Sequence, residues 1–171
     1  DEVVASLQSG WITTGPKVKA LEEEVVKLTS CPQALCVNSW TSGAMLMLKW
    51  FGVKEGDEVI VPAYTYSATA LAVLHCGAKP IMVDVKDDFT IDESKIAEKI
   101  TEKTKAILLC NPSNPTGYVY SKKVISTLIA LAIEHDIFLI VDEVYREFIH
   151  DGNQHYSVFQ HTEGQNHTLM I

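Results

Sequence analysis

Short apolar runs alternate with longer amphipathic stretches along the whole chain. The short runs are almost continuous in apolar residues and are bounded by Gly, Pro, Asn or Asp, which is typical of strands buried on both faces of a sheet. The pattern predicts six strands, at Ala34–Val37, Glu58–Val61, Pro80–Val83, Ala106–Cys110, Ile137–Val141 and Thr168–Ile171.

The amphipathic stretches between these runs predict the helices. Apolar side chains recur in them every three or four residues, which places one apolar stripe on each helix. Asp92 and Ser121 each precede one of the stretches and are suitable N-cap residues. Strand–helix–strand alternation favours an α/β fold with three layers, α/β/α, around a mostly parallel, doubly wound sheet. The predicted helices are Lys17–Leu28, Thr41–Trp50, Ser67–His75, Glu93–Ile100 and Ser121–His135.

The charge balance narrows the classes of function. Lysine and arginine together number 14 against 22 aspartates and glutamates, the formal net charge is −8, and Arg146 is the only arginine. An acidic chain without a basic run argues against nucleic acid or an anionic membrane as a partner. No apolar run is long enough to span a bilayer, and the acidic first residues differ from a secretory signal. We therefore expect a cytoplasmic protein.

Cysteines and histidines do not indicate a metal site. The four cysteines, at positions 31, 36, 76 and 110, include no Cys-x-x-Cys pair, and we expect reduced thiols. Four histidines fall in the last quarter of the chain, at positions 150, 155, 161 and 167. Their spacing and the lack of supporting carboxylates do not fit a metal centre, so we expect no bound metal.

Ligands of doubly wound sheets bind at the carboxyl ends of the strands, so the residues after each predicted strand are candidates. Ser39, Thr41 and Ser42 follow the first strand and open a helix. The backbone N–H groups of such a helix start suit a phosphate, while the alternative is a plain helix cap by Ser39 or Thr41. Neither a Gly-x-Gly-x-x-Gly nor a Walker sequence is present, which disfavours a dinucleotide or a nucleoside triphosphate.

Three further strand ends carry aromatic or polar residues. Tyr64 and Tyr66 follow the second strand, where they either stack on a flat ring or only cover the sheet edge. Asn114 lies in a loop with two Asn-Pro steps and a closing glycine, which either positions its amide for binding or is only a structural turn. Asp142 follows the buried run Ile137–Val141, where a carboxylate needs a cation or donors, or else caps the next turn.

Two sets of motifs resemble the pyridoxal-phosphate (PLP) enzymes of the aspartate aminotransferase fold. The region Asp1–Leu109 resembles the DegT/DnrJ/EryC1 sugar aminotransferases, through Ser-Gly-Trp-Ile-Thr-Thr-Gly-Pro at 9–16, Gly-Asp-Glu-Val-Ile-Val-Pro at 56–62 and Gly-Ala-Lys-Pro at 77–80. The region Cys110–Ile171 resembles the class I/II amino-acid aminotransferases, through Asn-Pro-Ser-Asn-Pro-Thr-Gly at 111–117 and Val-Asp-Glu-Val-Tyr-Arg-Glu-Phe at 141–148. The order and spacing of these motifs cover essentially the whole chain.

The resemblance implies that residues 1–171 form a PLP-binding large domain. By their positions, Thr41 and Ser42 would bind the cofactor phosphate at the start of a helix. Tyr66 would stack on the face of the pyridine ring.

It also implies how the polar edge of the ring would be bound. Asn114 and Tyr145 would hydrogen-bond the phenolic oxygen. Asp142 would pair with the protonated pyridine nitrogen and so keep the ring able to accept electrons from the substrate α-carbon.

The chain departs from the family pattern in one respect. The Schiff-base lysine of the family follows the strand after Asp142, which here is predicted at Thr168–Ile171, and none of the lysines lies at that place. We therefore assign no catalytic residue and expect the domain to be truncated before the lysine and the small C-terminal domain. Two family branches meeting in one chain also indicate a fragment or a chimera.

Three hypotheses about function follow. The first is the cofactor-binding domain of a PLP-dependent aminotransferase that moves an amino group from a small-molecule donor to a keto sugar or keto acid. The second is an incomplete fragment or chimera that keeps the fold and binds PLP weakly at most. The third, an unrelated nucleotide-binding protein, is disfavoured by the missing glycine-rich motif.

The resemblance also bears on assembly. Family members place their active sites at a dimer interface, so we expect a homodimer. We further expect the strand Ala34–Val37 to pair either with Thr168–Ile171 or with a second chain, because unpaired backbone groups inside a sheet are costly.

Overall fold

The computed structural model describes residues 1–29, 33–150 and 152–171. The chain divides into two compact units, Asp1–Asn38 and Ser39–Ile171. Of the four cysteines, Cys31 lies outside the described residues, and the other three are thiols.

The first unit contains two helices, α1 (Glu2–Gln8) and α2 (Pro16–Thr29). The second helix confirms the predicted Lys17–Leu28 with small changes at its ends. The sequence did not predict α1, because none of its residues is buried and its apolar side chains therefore mark no face of a core. Its one local signal is Asp1, whose side chain accepts a hydrogen bond from the backbone N–H of Val3 at 3.1 Å.

The predicted strand Ala34–Val37 is wrong, because residues 33–37 form no strand. A strand needs a neighbouring ladder, whereas the backbone N–H of Cys36 instead donates to the Glu22 carboxylate at 2.8 Å, within the same unit. The expected pairing with Thr168–Ile171 is wrong as well. The ladder described for that last strand is with the strand Phe138–Asp142.

The second unit contains a five-stranded sheet in which every pairing is parallel. The order of its strands is β2-β1-β3-β4-β5. The expected sixth strand is missing among the described residues. The other five predicted strands are confirmed, with ends that differ by one or two residues. The strands are β1 (Glu58–Pro62), β2 (Lys79–Val83), β3 (Thr104–Cys110), β4 (Phe138–Asp142) and β5 (Thr168–Met170).

Helices cover both faces of this sheet and complete the predicted three layers. The helices are α3 (Trp40–Trp50), α4 (Ala68–His75) and α5 (Lys122–Glu134). Alternate residues of one strand enter opposite cores: Ile107 belongs to the core that contains the buried face of α5, and Leu108 to the core that contains α3 and α4. This alternation explains why the strands are continuous in apolar residues.

The predicted helix Glu93–Ile100 is replaced by two short 3₁₀-helices, Glu93–Lys95 and Ala97–Lys99. The backbone N–H of Ile96 bonds three residues back to Glu93, and that of Lys99 bonds three residues back to Ile96, so the four-residue ladder of an α-helix does not form. The fully buried Ile96 side chain fixes this segment onto the core. The Asp92 cap is confirmed, since its carboxylate accepts from the N–H of Ser94 at 3.1 Å.

None of the helices in the described ranges is both long and apolar enough to cross a membrane.

Replacing Ile107 with alanine should test the double-sided core. Its side chain is fully buried in the central strand, so we expect Ile107→Ala to lower the free energy of unfolding by about 2–5 kcal/mol, measured by urea denaturation. Leu74→Ala is the matched control on α4, where the side chain is 54% exposed, and should change stability by roughly 0.5 kcal/mol or less. Equal losses for the two variants would contradict this account of the core.

Candidate functional site

The candidate site lies along the carboxyl edge of the sheet. Strands β1, β3 and β4 are adjacent and parallel, so the chain leaves all three at the same edge. Tyr66 follows the first of these strands, Asn114 follows the second, and Asp142 is the last residue of the third. The order of the strands therefore brings together residues that are far apart in sequence.

Hydrogen bonds fix the start and the end of the loop after β3. The backbone N–H of Asn111 donates to the carbonyl of Asp142 at 2.8 Å, and the Asn111 side-chain oxygen accepts from the N–H of Tyr120 at 3.0 Å. The N–H of Gly117 donates to the carbonyl of Ser113 at 2.7 Å, with a φ of +71° that favours glycine. These bonds fix the loop that carries Asn114.

Three of the predicted residues are linked by hydrogen bonds. The backbone N–H of Tyr66 donates to the carbonyl of Asn114 at 3.1 Å. The Asn114 side-chain amide lies 3.4 Å from the hydroxyl of Tyr145, to which it donates. The Tyr66 side chain is 60% exposed, whereas Tyr64 packs its ring against Phe89 at 5.1 Å between centroids. Tyr66 thus has a backbone anchored to the Asn114 loop and an accessible side chain.

Asp142 is a buried carboxylate at the end of an apolar strand, and it is only 7% exposed. One of its oxygens, Oδ1, accepts from the N–H of Val144 at 3.0 Å, and Oδ2 lies 3.5 Å from the thiol sulfur of Cys110. No ion pair between Asp142 and a cationic side chain of the described residues is present. Burial raises the pKa of this carboxyl, and the two donors only partly offset the rise.

The first turn of α3 carries Thr41 and Ser42. Just after the helix, the ring of Phe51 packs on Phe138, the first residue of β4, with centroids 4.3 Å apart. The end of α3 therefore lies at the amino edge of the sheet. The helix has 11 residues and is about 16 Å long, and Thr41 and Ser42 lie at the opposite end of it from Phe51. Ser39 is the N-cap, accepting from the N–H of Ser42 at 3.2 Å, so the helix cap that was the alternative for this segment is present.

Two further residues, which the sequence analysis did not select, support the strand ends. Glu143 is 2% exposed, and one of its oxygens accepts from the N–H of Val158 at 2.9 Å. His155 places its Nε2 3.1 Å from the carbonyl of Asn111 and 3.9 Å from the second oxygen of Glu143. An acidic residue next to Asp142 was a usable signal for Glu143, but nothing local indicated His155. The described residues contain no metal-binding cluster of His, Cys, Asp or Glu.

The raised pKa of Asp142 predicts a gain in stability on neutralisation. The ionised carboxylate destabilises the fold; this cost is complete above the folded-state pKa, decreases as the pH falls through it, and is gone below the unfolded-state pKa. Asp142→Asn should therefore raise the free energy of unfolding at pH 7 by on the order of 1 kcal/mol, with a difference that shrinks towards acid pH. Urea denaturation between pH 7 and pH 4 measures this.

Asp84, just after β2, is the matched control. Its pKa is lowered, first by the backbone N–H of Val85 and then by Lys95. Its charge therefore stabilises the fold above the unfolded-state pKa, and this contribution is lost as the pH falls through the folded-state pKa. Asp84→Asn should lower stability at pH 7. The same sign for both variants would contradict the assigned environment of Asp142.

Comparison with known proteins agrees with this geometry. Residues 1–143 match the DegT/DnrJ/EryC1/StrS aminotransferase family. The spore coat polysaccharide biosynthesis protein SpsC of Bacillus subtilis is 33% identical over 145 residues, which are 84% of this chain and 36% of SpsC.

Two solved structures show the same fold. The aromatic aminotransferase of Pyrococcus horikoshii superposes with a TM-score of 0.81 and 27% identity over 97% of this chain and 48% of its own. Cystalysin of Treponema denticola, solved with a pyridoxal 5′-phosphate cofactor, gives a TM-score of 0.71 and 25% identity over 77% of this chain and 34% of its own. The chain thus spans less than half the length of each of these proteins, and it belongs to the DegT/DnrJ/EryC1/StrS aminotransferase family.

Proposed function

We propose that the protein is a PLP-dependent aminotransferase and that residues 1–171 form its cofactor-binding large domain. The observation that carries this proposal is the buried Asp142 carboxylate, which has no cationic partner among the described residues and lies at the same sheet edge as the Asn114–Tyr145 pair. A buried carboxylate is costly unless a cation meets it, and a protonated pyridine nitrogen is such a cation. Membership of the family supports the same cofactor.

The donor set fits the polar edge of the cofactor. When bound, PLP supplies a ring that withdraws electrons from the substrate α-carbon. Asp142 would hold the proton on the ring nitrogen, because a nearby negative charge favours the protonated form. The Asn114 amide and the Tyr145 hydroxyl, 3.4 Å apart, would both donate to the phenolic oxygen. Asp142 is charged and would bind the ring nitrogen, whereas Asn114 and Tyr145 are neutral donors and would bind the phenolic oxygen. This difference would fix the orientation of the ring in the site.

The remaining predicted residues would bind the face and the phosphate of the cofactor. Tyr66 has an accessible ring and a backbone anchored to Asn114, which suits stacking on a flat heterocycle. Thr41 and Ser42 lie in the first turn of α3, where N–H groups and the helix dipole favour an anion.

The substrates we propose are a small-molecule amino donor and a keto acceptor, with a keto sugar favoured over a keto acid. The family match and the similarity to SpsC, a polysaccharide biosynthesis protein, support the sugar. We also propose a homodimer, which the exposed Leu46 and Trp50 of the α3 surface support. A cytoplasmic location fits the three thiols of the described cysteines.

Removal of the Asp142 carboxylate should weaken PLP binding. We expect Asp142→Ala to raise the dissociation constant of PLP at least about tenfold, because it removes the partner of a buried cation. Equilibrium dialysis with absorbance detection measures this. The 1-deaza analogue, which has carbon in place of the ring nitrogen, should bind the two proteins equally.

Asp84→Ala is the control for this measurement, since Asp84 also follows a strand of the sheet but is largely exposed. It should leave PLP binding unchanged. An unchanged PLP affinity in Asp142→Ala, or an equal loss of affinity for the deaza analogue, would contradict the role of Asp142.

The Tyr145 hydroxyl can be tested in the same way. Tyr145→Phe should weaken PLP binding by about 1 kcal/mol, the usual net contribution of one hydrogen bond, and leave the fold intact. Tyr64→Phe is the matched control, because the Tyr64 ring packs on Phe89 and has no assigned role in binding. Equal affinities in the two variants would remove Tyr145 from the site.

A further inference from the structure

The last ladder position between β3 and β4 places a thiol opposite the candidate carboxylate. Cys110 and Asp142 are direct partners in the parallel register. Each is only 7% exposed. Side chains at paired positions point to the same face of a sheet, so the Cys110 sulfur reaches to 3.5 Å from Oδ2 of Asp142.

The thiol has one proton and two acceptors within reach. The Pro112 carbonyl lies 3.0 Å from the sulfur, and the Asp142 oxygen lies 3.5 Å from it. A charged acceptor attracts a hydrogen bond more strongly than a neutral carbonyl, so ionisation of Asp142 favours donation to the carboxylate. When Asp142 is neutral, the S–H group donates to the Pro112 carbonyl instead.

We propose that Cys110 is a positioning residue for Asp142, whose thiol donates to Oδ2 and fixes the orientation of the carboxylate. The N–H of Val144 binds the other oxygen at 3.0 Å, so the two donors hold the carboxylate from two sides. The idea that this orientation favours binding of a pyridine nitrogen rests on the proposed function. The contact between Cys110 and Asp142 is independent of it.

The protonation state of the thiol supports this role. Burial, followed by the neighbouring Asp142 charge, raises the pKa of Cys110 to about 12. The thiol therefore keeps its proton at every pH at which the protein would work, and it acts towards Asp142 as a donor. Such a thiol is a poor nucleophile, because reactivity requires the thiolate.

Three variants separate hydrogen bonding from packing. Cys110→Ala removes the donor, and Cys110→Ser keeps a hydroxyl donor in its place. Cys76→Ala is the control, since Cys76 is also a buried thiol but donates to the carbonyl of Met45 at 3.7 Å instead of to a carboxylate. Circular dichroism verifies that each variant is folded.

The first readout is the pKa of Asp142, followed by NMR of ¹³C-labelled aspartate in the chain without cofactor. The pKa should rise in Cys110→Ala, because a donor to the charged form is lost. It should stay close to that of the unmodified protein in Cys110→Ser and Cys76→Ala. An unchanged pKa in Cys110→Ala, or an equal rise in the alanine and serine variants, would overturn the proposal.

A second readout is the Raman band of the Cys110 thiol itself, measured in the unmodified protein. The S–H stretching band in the Raman spectrum moves to lower wavenumber when a thiol donates a stronger hydrogen bond. The Cys110 band, identified by its loss in Cys110→Ser, should move as Asp142 takes up its proton at acid pH. A Cys110 band that does not change through the titration of Asp142 would overturn the proposal.

PLP titration connects Cys110 to the proposed function. We expect Cys110→Ala to bind PLP about tenfold more weakly, and Cys110→Ser to bind it within about twofold of the unmodified protein. Absence of PLP binding to the unmodified chain would contradict the proposed function, while the NMR and Raman results would still decide the role of Cys110. Equal PLP affinity in Cys110→Ala and the unmodified protein would show that the contact does not serve the cofactor.

Discussion

The parallel register between β3 and β4 is the constraint on which the candidate site depends. It sets Cys110 opposite Asp142 and lets the N–H of Asn111 bond to the carbonyl of Asp142. A slip of one residue would turn every side chain of a strand to the other face. The carboxylate would then leave the thiol, and the loop that carries Asn114 would lose its base. Strand pairing therefore positions polar groups as well as the core.

Strand β4 combines an apolar interior that stabilises the fold with a buried acid that destabilises it. The interior of β4 is fully buried and apolar, which favours the fold. Its last residue, Asp142, is an acid whose charge burial disfavours. A fold can hold such a group when the surrounding structure over-determines its position, and groups with perturbed pKa values are common at functional sites. The local cost of Asp142 is thus a consequence of its place in the sheet.

Support for the strand ends comes from a segment with little regular structure. Glu143 binds the backbone of Val158, and His155 contacts the carbonyl of Asn111. These contacts fix the segment between β4 and β5 against both strand ends. Each contact joins one side chain to a backbone group. The main chain at the site is therefore held in place without the side chains of Asn114 or Tyr145.

The sequence by itself determined the α/β class, five of the strands and most of the helices, because apolar periodicity reports burial directly. It also marked Asn114 and Asp142, since a polar residue at the end of an apolar run is visible locally. It failed at Ala34–Val37, whose apolar pattern is that of a strand, because no sequence pattern states whether a ladder partner is within reach. It failed at Glu93–Ile100 because a single buried side chain fixed the backbone in shorter turns.

Only the tertiary structure decided which polar residues meet. The Asn114–Tyr145 contact spans 31 residues, and the Cys110–Asp142 contact spans 32. Both follow from the adjacency of β3 and β4 and from their register, which are set by packing over the whole sheet. His155 is the clearest case, because its role depends on a carbonyl 44 residues away. Such contacts leave no local periodicity, so the sequence marked the groups and the fold determined their partners.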